Sequence, residues 1–193
     1  MEGFYALALG YLLGSVPFGL ILTNVFGDGN LREIGSGNIG ATNVLRTGNK
    51  GLAAATLLLD GAKGFLAVWL AWRLFAAAAP LAGLGAVLGH CFPVWLKFRG
   101  GKGVATTLGV SLALAWPVGL AYAAFWLVML ALTRISSLSG MVAAMAAPVT
   151  AWLIGRRDIE WVLVAIMLVV IWLHRGNIAR LRAGTEPKVG QKS

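Results

Sequence analysis

Long apolar stretches dominate this chain, most of them near the roughly 20 residues that a helix needs to cross a bilayer. They are interrupted by polar clusters at 27–50, 97–103 and 174–193. Backbone buried in lipid must satisfy its own hydrogen bonds, so segments of this length are read as helices. The expected fold is all-α, a polytopic integral membrane helix bundle. Composition agrees: 59% of the residues are hydrophobic and 12% charged, against about half and about a quarter in soluble domains. A single transmembrane domain over 1–193 follows. Met1-Glu2-Gly3-Phe4 offers no basic leader and no small-residue cleavage site follows it, so a removed signal peptide is not expected.

Runs at about 3–26, 51–72, 76–96, 136–155 and 159–173 each suit one span. The stretch 104–133 is too long for one simple span and carries Pro117 near its middle, so it is one kinked helix or two short ones. Parity favours two, because only then do all three polar clusters share a side. That arrangement places Arg32, Arg46, Lys50, Lys97, Arg99, Lys102, Arg134, Arg175, Arg180, Arg182, Lys188 and Lys192 on one face. Arg73, Arg156 and Arg157 fall on the other. The bias makes the first face cytoplasmic by the positive-inside rule. Seven transmembrane helices are therefore expected, with the N-terminus outside and the C-terminus cytoplasmic. The segment 104–116 would be short, at about 20 Å, and residues 186–193 read as a polar tail.

The net charge of +9 suits cytoplasmic loops, anionic lipid heads or an anionic substrate. Nucleic acid is not expected as a partner, because the basic residues form short clusters between spans. Cys91 is the sole cysteine and His90 and His174 the only histidines, which supports no metal site.

The first cluster contains Ser36-Gly37-Asn38-Ile39-Gly40-Ala41-Thr42-Asn43-Val44-Leu45-Arg46. Glycines permit close backbone approach to an anion, Ser36, Asn38, Thr42 and Asn43 add polar groups, and Arg46 adds a charge suited to phosphate. A flexible loop between helices is the competing reading. The second cluster runs from Gly89-His90 to Gly100-Gly101-Lys102-Gly103 and leads directly into an apolar helix. It resembles a phosphate cradle but lacks the spacing of a Walker loop, which disfavours nucleotide hydrolysis. Interfacial anchoring is the alternative for its basic residues. In the third cluster His174, Asn177 and Arg180 are spaced for one helix side. Asp60 and Lys63 lie inside a span at a spacing that allows pairing, and a structural ion pair is the expected reading.

These ordered motifs, with Asp60-Gly61-Ala62-Lys63-Gly64 and Ser136-Ser137-Leu138, make the chain similar to the acyl-phosphate-dependent glycerol-3-phosphate acyltransferases of bacterial inner membranes. The resemblance covers essentially the whole sequence. It implies a seven-helix enzyme of phospholipid synthesis that needs no cofactor. It would acylate the first hydroxyl of glycerol 3-phosphate from an acyl phosphate, at a site facing the cytoplasm. The sequence departs from other acyltransferase chemistries: neither histidine has an aspartate five residues on, and Gly-x-Ser-x-Gly is absent.

The resemblance implies catalytic roles for Arg46, Lys102, His174 and Asn177. Phosphate binding is expected at Ser36, Gly37, Asn38, Gly40, Thr42, Asn43, Gly101 and Gly103, with Ser137 and Glu186 as weaker members. The proton acceptor stays open among His174, His90 and the donor's own phosphate. Expected partners are acyl phosphate, glycerol 3-phosphate, membrane lipids and the enzyme that makes acyl phosphate. A transporter of a phosphorylated anion is the rival reading.

Overall fold

Pro17 sets the first departure from a simple span. In the computed structural model, which describes residues 1–26 and 30–190, the run expected as one span is one candidate span, Glu2–Phe26, but it is built of two helices, α1 (Glu2–Gly14) and α2 (Phe18–Phe26). Proline has no N–H to continue the ladder, so the carbonyls preceding it need other donors. Trp95 Nε1 donates to the Ser15 carbonyl at 2.9 Å, and Lys63 Nζ donates to the Val16 carbonyl at 2.7 Å.

The remaining helices are α3 (Ala41–Val44), α4 (Lys50–Leu74), α5 (Ala79–Cys91), α6 (Val104–Leu114), α7 (Trp116–Thr133), α8 (Ser136–Leu153), α9 (Arg157–Leu173) and α10 (Arg175–Arg182). The stretch 104–133 is thus two helices, parted at Ala115, with Pro117 in the first turn of α7 where its missing N–H breaks no hydrogen bond. Helix α6 has 11 residues, a rise of only about 16 Å. Among the described residues, five segments are long and apolar enough to cross a membrane, or six if the bent pair α9–α10 is one span. Lys192 lies outside the described residues.

The chain forms two compact units, Met1–Val110 and Ser111–Ser193. In the first, α1 packs on α5 through small residues. A β-carbon at Gly10 would overlap the Ala82 carbonyl, one at Gly14 the Ala86 carbonyl, and one at Gly85 the Leu7 carbonyl. This is the small-residue approach of helices in lipid, where dispersion replaces the hydrophobic effect as the packing force. Gly64 approaches the Thr106 carbonyl and Gly109 the Gly61 carbonyl in the same manner, which joins α4 to the start of α6.

In the second unit, α9 buries Ile159, Val162, Leu163, Ile166 and Val170, a helical-period stripe. Helix α8 buries mostly small residues, including Gly140, Ala143, Ala144, Ala147 and Ala151. Large apolar side chains such as Phe4, Leu58, Leu132 and Leu168 are exposed, as expected where the surrounding medium is lipid. Arginines stack on Trp69, Trp152 and Trp172 from Arg73, Arg157 and Arg175, at 5.3, 5.2 and 4.2 Å from the ring centres. Such pairs suit the headgroup level at helix ends.

Candidate active site

The first polar cluster folds into a turn organised from within by Asn43, which is 3% exposed. Its Nδ2 donates to the Leu31 and Ile34 carbonyls, both at 3.0 Å, and its Oδ1 accepts from the Ser36 backbone N–H at 3.2 Å and from Ser36 Oγ at 3.4 Å. The sequence places Asn43 among the phosphate-binding groups; its amide is instead committed to holding the loop. Gly35 and Gly37 take positive φ values of 53° and 65°, a conformation that side chains disfavour. The Arg46 side chain lies against Gly35, where a β-carbon would collide with it. Asn38 Oδ1 accepts from Gly40 N–H at 3.0 Å, and Gly40 caps α3, on which Thr42 is exposed. Helix α3 has four residues, too short for an appreciable dipole.

The second cluster is a hairpin-like return after α5. Gly100 and Gly101 N–H groups donate to the Cys91 and His90 carbonyls, each at 3.0 Å. The Gly101 N–H, expected to face phosphate, is therefore used by the scaffold. Lys102 follows at a half-buried position, Gly103 has φ 83°, and α6 starts immediately after it. Its first turn presents the end of a helix that favours anions. The Arg32 guanidinium donates to the Arg99 carbonyl, tying the first loop to the second. Burial, and then the Arg99 charge, lower the Arg32 pKa.

Asp60 and Lys63 pair at 2.6 Å and are 2% and 5% exposed. The expected intra-helical ion pair is present, and it extends further: His90 Nδ1 lies 3.6 Å from the same Asp60 oxygen. This third member sits near the end of α5 while the pair sits on α4, so i,i+3 spacing could not reveal it.

The second unit carries the third cluster. His174 is 2% exposed and sits at the 57° bend between α9 and α10. Its Nδ1 is 2.8 Å from the Val170 carbonyl. A carbonyl only accepts, so the proton is assigned to Nδ1, and Nε2 is the basic nitrogen of the neutral ring. Asn177 Nδ2 donates to Glu186 Oε1 at 2.6 Å, Ser137 Oγ donates to the same oxygen at 2.6 Å, and Arg180 Nε donates to Glu186 Oε2 at 2.7 Å. Partial burial opposes ionisation of Glu186, but these hydrogen bonds outweigh it and keep its carboxyl below the ordinary glutamate value. The sequence places Glu186 and Ser137 near phosphate; their polar atoms bind each other, and Glu186 also binds Asn177 and Arg180. Val189 N–H donates to the Arg134 carbonyl at 2.7 Å.

Fold and site define a multi-pass helical membrane protein with glycine-rich, cationic loops. The family model described as glycerol-3-phosphate acyltransferase matches residues 4–184. The chain belongs to that family. It is 62% identical over 97% of its length to the glycerol-3-phosphate acyltransferase of Erythrobacter litoralis, covering 95% of that protein. It is 65% identical to the Novosphingobium aromaticivorans protein of the same name, over 100% of this chain and 98% of that one. Among solved structures, it resembles PlsY (YgiH), an integral membrane glycerol 3-phosphate acyltransferase, in its glycerol 3-phosphate form. There the TM-score is 0.92 at 36% identity, over 98% of this chain and 96% of that one. The lysophosphatidic acid form gives 0.88 at 33% identity, over 97% and 95%.

Proposed function

We propose that this chain transfers an acyl group from an acyl phosphate to the first hydroxyl of glycerol 3-phosphate. The products are lysophosphatidic acid and inorganic phosphate, the opening step of phospholipid synthesis. The observation that carries this reading is the end-to-end likeness to PlsY in forms with glycerol 3-phosphate and with lysophosphatidic acid. The donor assignment is what the resemblance to the acyl-phosphate-dependent family implies, and the absence of a nucleophile motif fits it, since direct attack on an activated acyl phosphate needs no enzyme nucleophile.

In this reading the acceptor hydroxyl oxygen attacks the acyl carbonyl carbon, and the carbonyl–phosphate C–O bond breaks. The hydroxyl proton passes to the departing phosphate, so no enzyme-bound acyl group forms. Ser36, Gly37, Asn38, Gly40 and Thr42, with Gly103 and the start of α6, hold phosphate. Arg46 and Lys102 offset the charge of two mutually repelling anions, an orientation and electrostatic contribution. His174 and Asn177 engage the glycerol hydroxyls or the acyl carbonyl. Asn43, Ser137, Glu186 and Gly101 act by positioning these groups.

The proposal includes seven crossings of the bacterial inner membrane by one functional domain, 1–193, with the N-terminus outside and the three polar clusters cytoplasmic. The charge bias supports it. Partners are membrane lipids and the enzyme that supplies acyl phosphate. A flux assay in proteoliposomes with labelled glycerol 3-phosphate tests the activity against the transporter rival: new lipid product in the membrane is expected, and uptake without product would overturn it.

A further inference from the structure

We infer that His90 is a positioning residue that sets the 100–103 loop from inside the membrane. The inference rests on the acyltransferase reading above. Three contacts carry it. The His90 carbonyl accepts the Gly101 N–H at 3.0 Å. The His90 ring lies directly beneath Gly101, where any β-carbon would overlap Nε2. On its other side the ring faces Asp60, at 3.6 Å from Nδ1 to Oδ1.

Asp60 in turn binds Lys63 at 2.6 Å, and Lys63 Nζ donates to the Val16 carbonyl at 2.7 Å. A continuous buried chain therefore runs from the proline break between α1 and α2, across α4, to the loop that carries Lys102. Buried ionic groups are costly unless mutually satisfied. Here the ring on which Gly101 rests lies beside the Asp60–Lys63 pair, 3.6 Å from the carboxylate, within electrostatic reach but outside hydrogen-bond distance. Gly101 has no positive φ, so backbone conformation does not require glycine there. The requirement comes from the imidazole. His90 is 5% exposed and enclosed by Gly101 and Asp60, which suits a floor better than a proton acceptor for substrate.

The test is a double-mutant cycle on the purified enzyme with acyl phosphate and glycerol 3-phosphate. His90→Ala should lower kcat/KM at least tenfold, chiefly through KM of the substrate whose phosphate the loop holds, with the pH profile unchanged. Gly101→Ala should be comparably impaired, because its methyl meets the ring. Combined with His90→Ala, it should add little, since the ring that it strikes is gone. His90→Asn, which keeps a polar side chain beside Asp60, should recover part of the activity. Additive losses in the cycle would overturn the inference, as would wild-type kinetics for His90→Ala. Complete inactivity of His90→Asn with native thermal stability would also overturn it and indicate a base. Wild-type protein that makes no lysophosphatidic acid would instead refute the acyltransferase reading.

Discussion

Asn177 and Glu186 are joined by a 2.6 Å hydrogen bond from Nδ2 to Oε1, and the same carboxylate also receives Ser137 and Arg180. The bond fixes which end of the Asn177 amide is the donor to the scaffold and leaves Oδ1 as its acceptor face. Glu186→Ala should cost about 100-fold in kcat/KM, the scale of a misplaced substrate-orienting group. Glu186→Gln should fall between, because its NH2 cannot accept from all three donors. Steady-state kinetics beside thermal unfolding in detergent would check both.

The same carboxylate predicts an acid limb. Its folded-state pKa is depressed, so its stabilising contribution is fully present above the ordinary glutamate value. That contribution is lost as pH falls through the lower folded value. Wild-type stability should decline across that window, and Glu186→Gln should flatten the decline.

Arg46 and Lys102 are the charges assigned to the phosphates. Lys102→Ala and Arg46→Ala should each reduce kcat by about 100-fold or more, as for loss of a preorganised electrostatic group, with expression intact. Near-normal rates in both would remove this assignment.

His174 holds its Nδ1 proton against Val170, which leaves Nε2 as an acceptor; with the donor phosphate as proton acceptor, its role is to orient the hydroxyl. His174→Gln should lose less than the roughly 100- to 10,000-fold expected of a general base. A larger loss, together with disappearance of a near-neutral pKa from the rate profile, would favour His174 over the donor phosphate as proton acceptor.

Asp60 and Lys63 are a buried pair whose separation should leave an uncompensated charge. Asp60→Leu or Lys63→Leu alone should destabilise the protein by about 3–5 kcal/mol. The double replacement should cost less than either single one. Reversible unfolding in mixed micelles would measure the difference.

Local signals were legible in the sequence where a single segment determines the outcome. Pro117 and the excess length of 104–133 marked a break or kink there, with the parity of the polar clusters favouring two helices, and the i,i+3 spacing of Asp60 and Lys63 foretold their pairing. Pro17 carried an equally local signal, but the apolar run around it hid the break between α1 and α2. Asn43, Ser137 and Glu186 read as ligand groups because polar residues in glycine-rich loops fit either a ligand or a scaffold. Their partners decide, and Ser137 is 49 residues from Glu186. The link from Asp60 to His90 likewise depends on α4 meeting the end of α5, which no spacing within one helix encodes.

The most direct measurement offers the purified protein glycerol 3-phosphate with acyl phosphate, acyl-CoA and acyl carrier protein thioester in separate reactions. Lysophosphatidic acid and inorganic phosphate are predicted from acyl phosphate alone. Product from a thioester in the absence of acyl phosphate, or no product from any donor, would contradict the account.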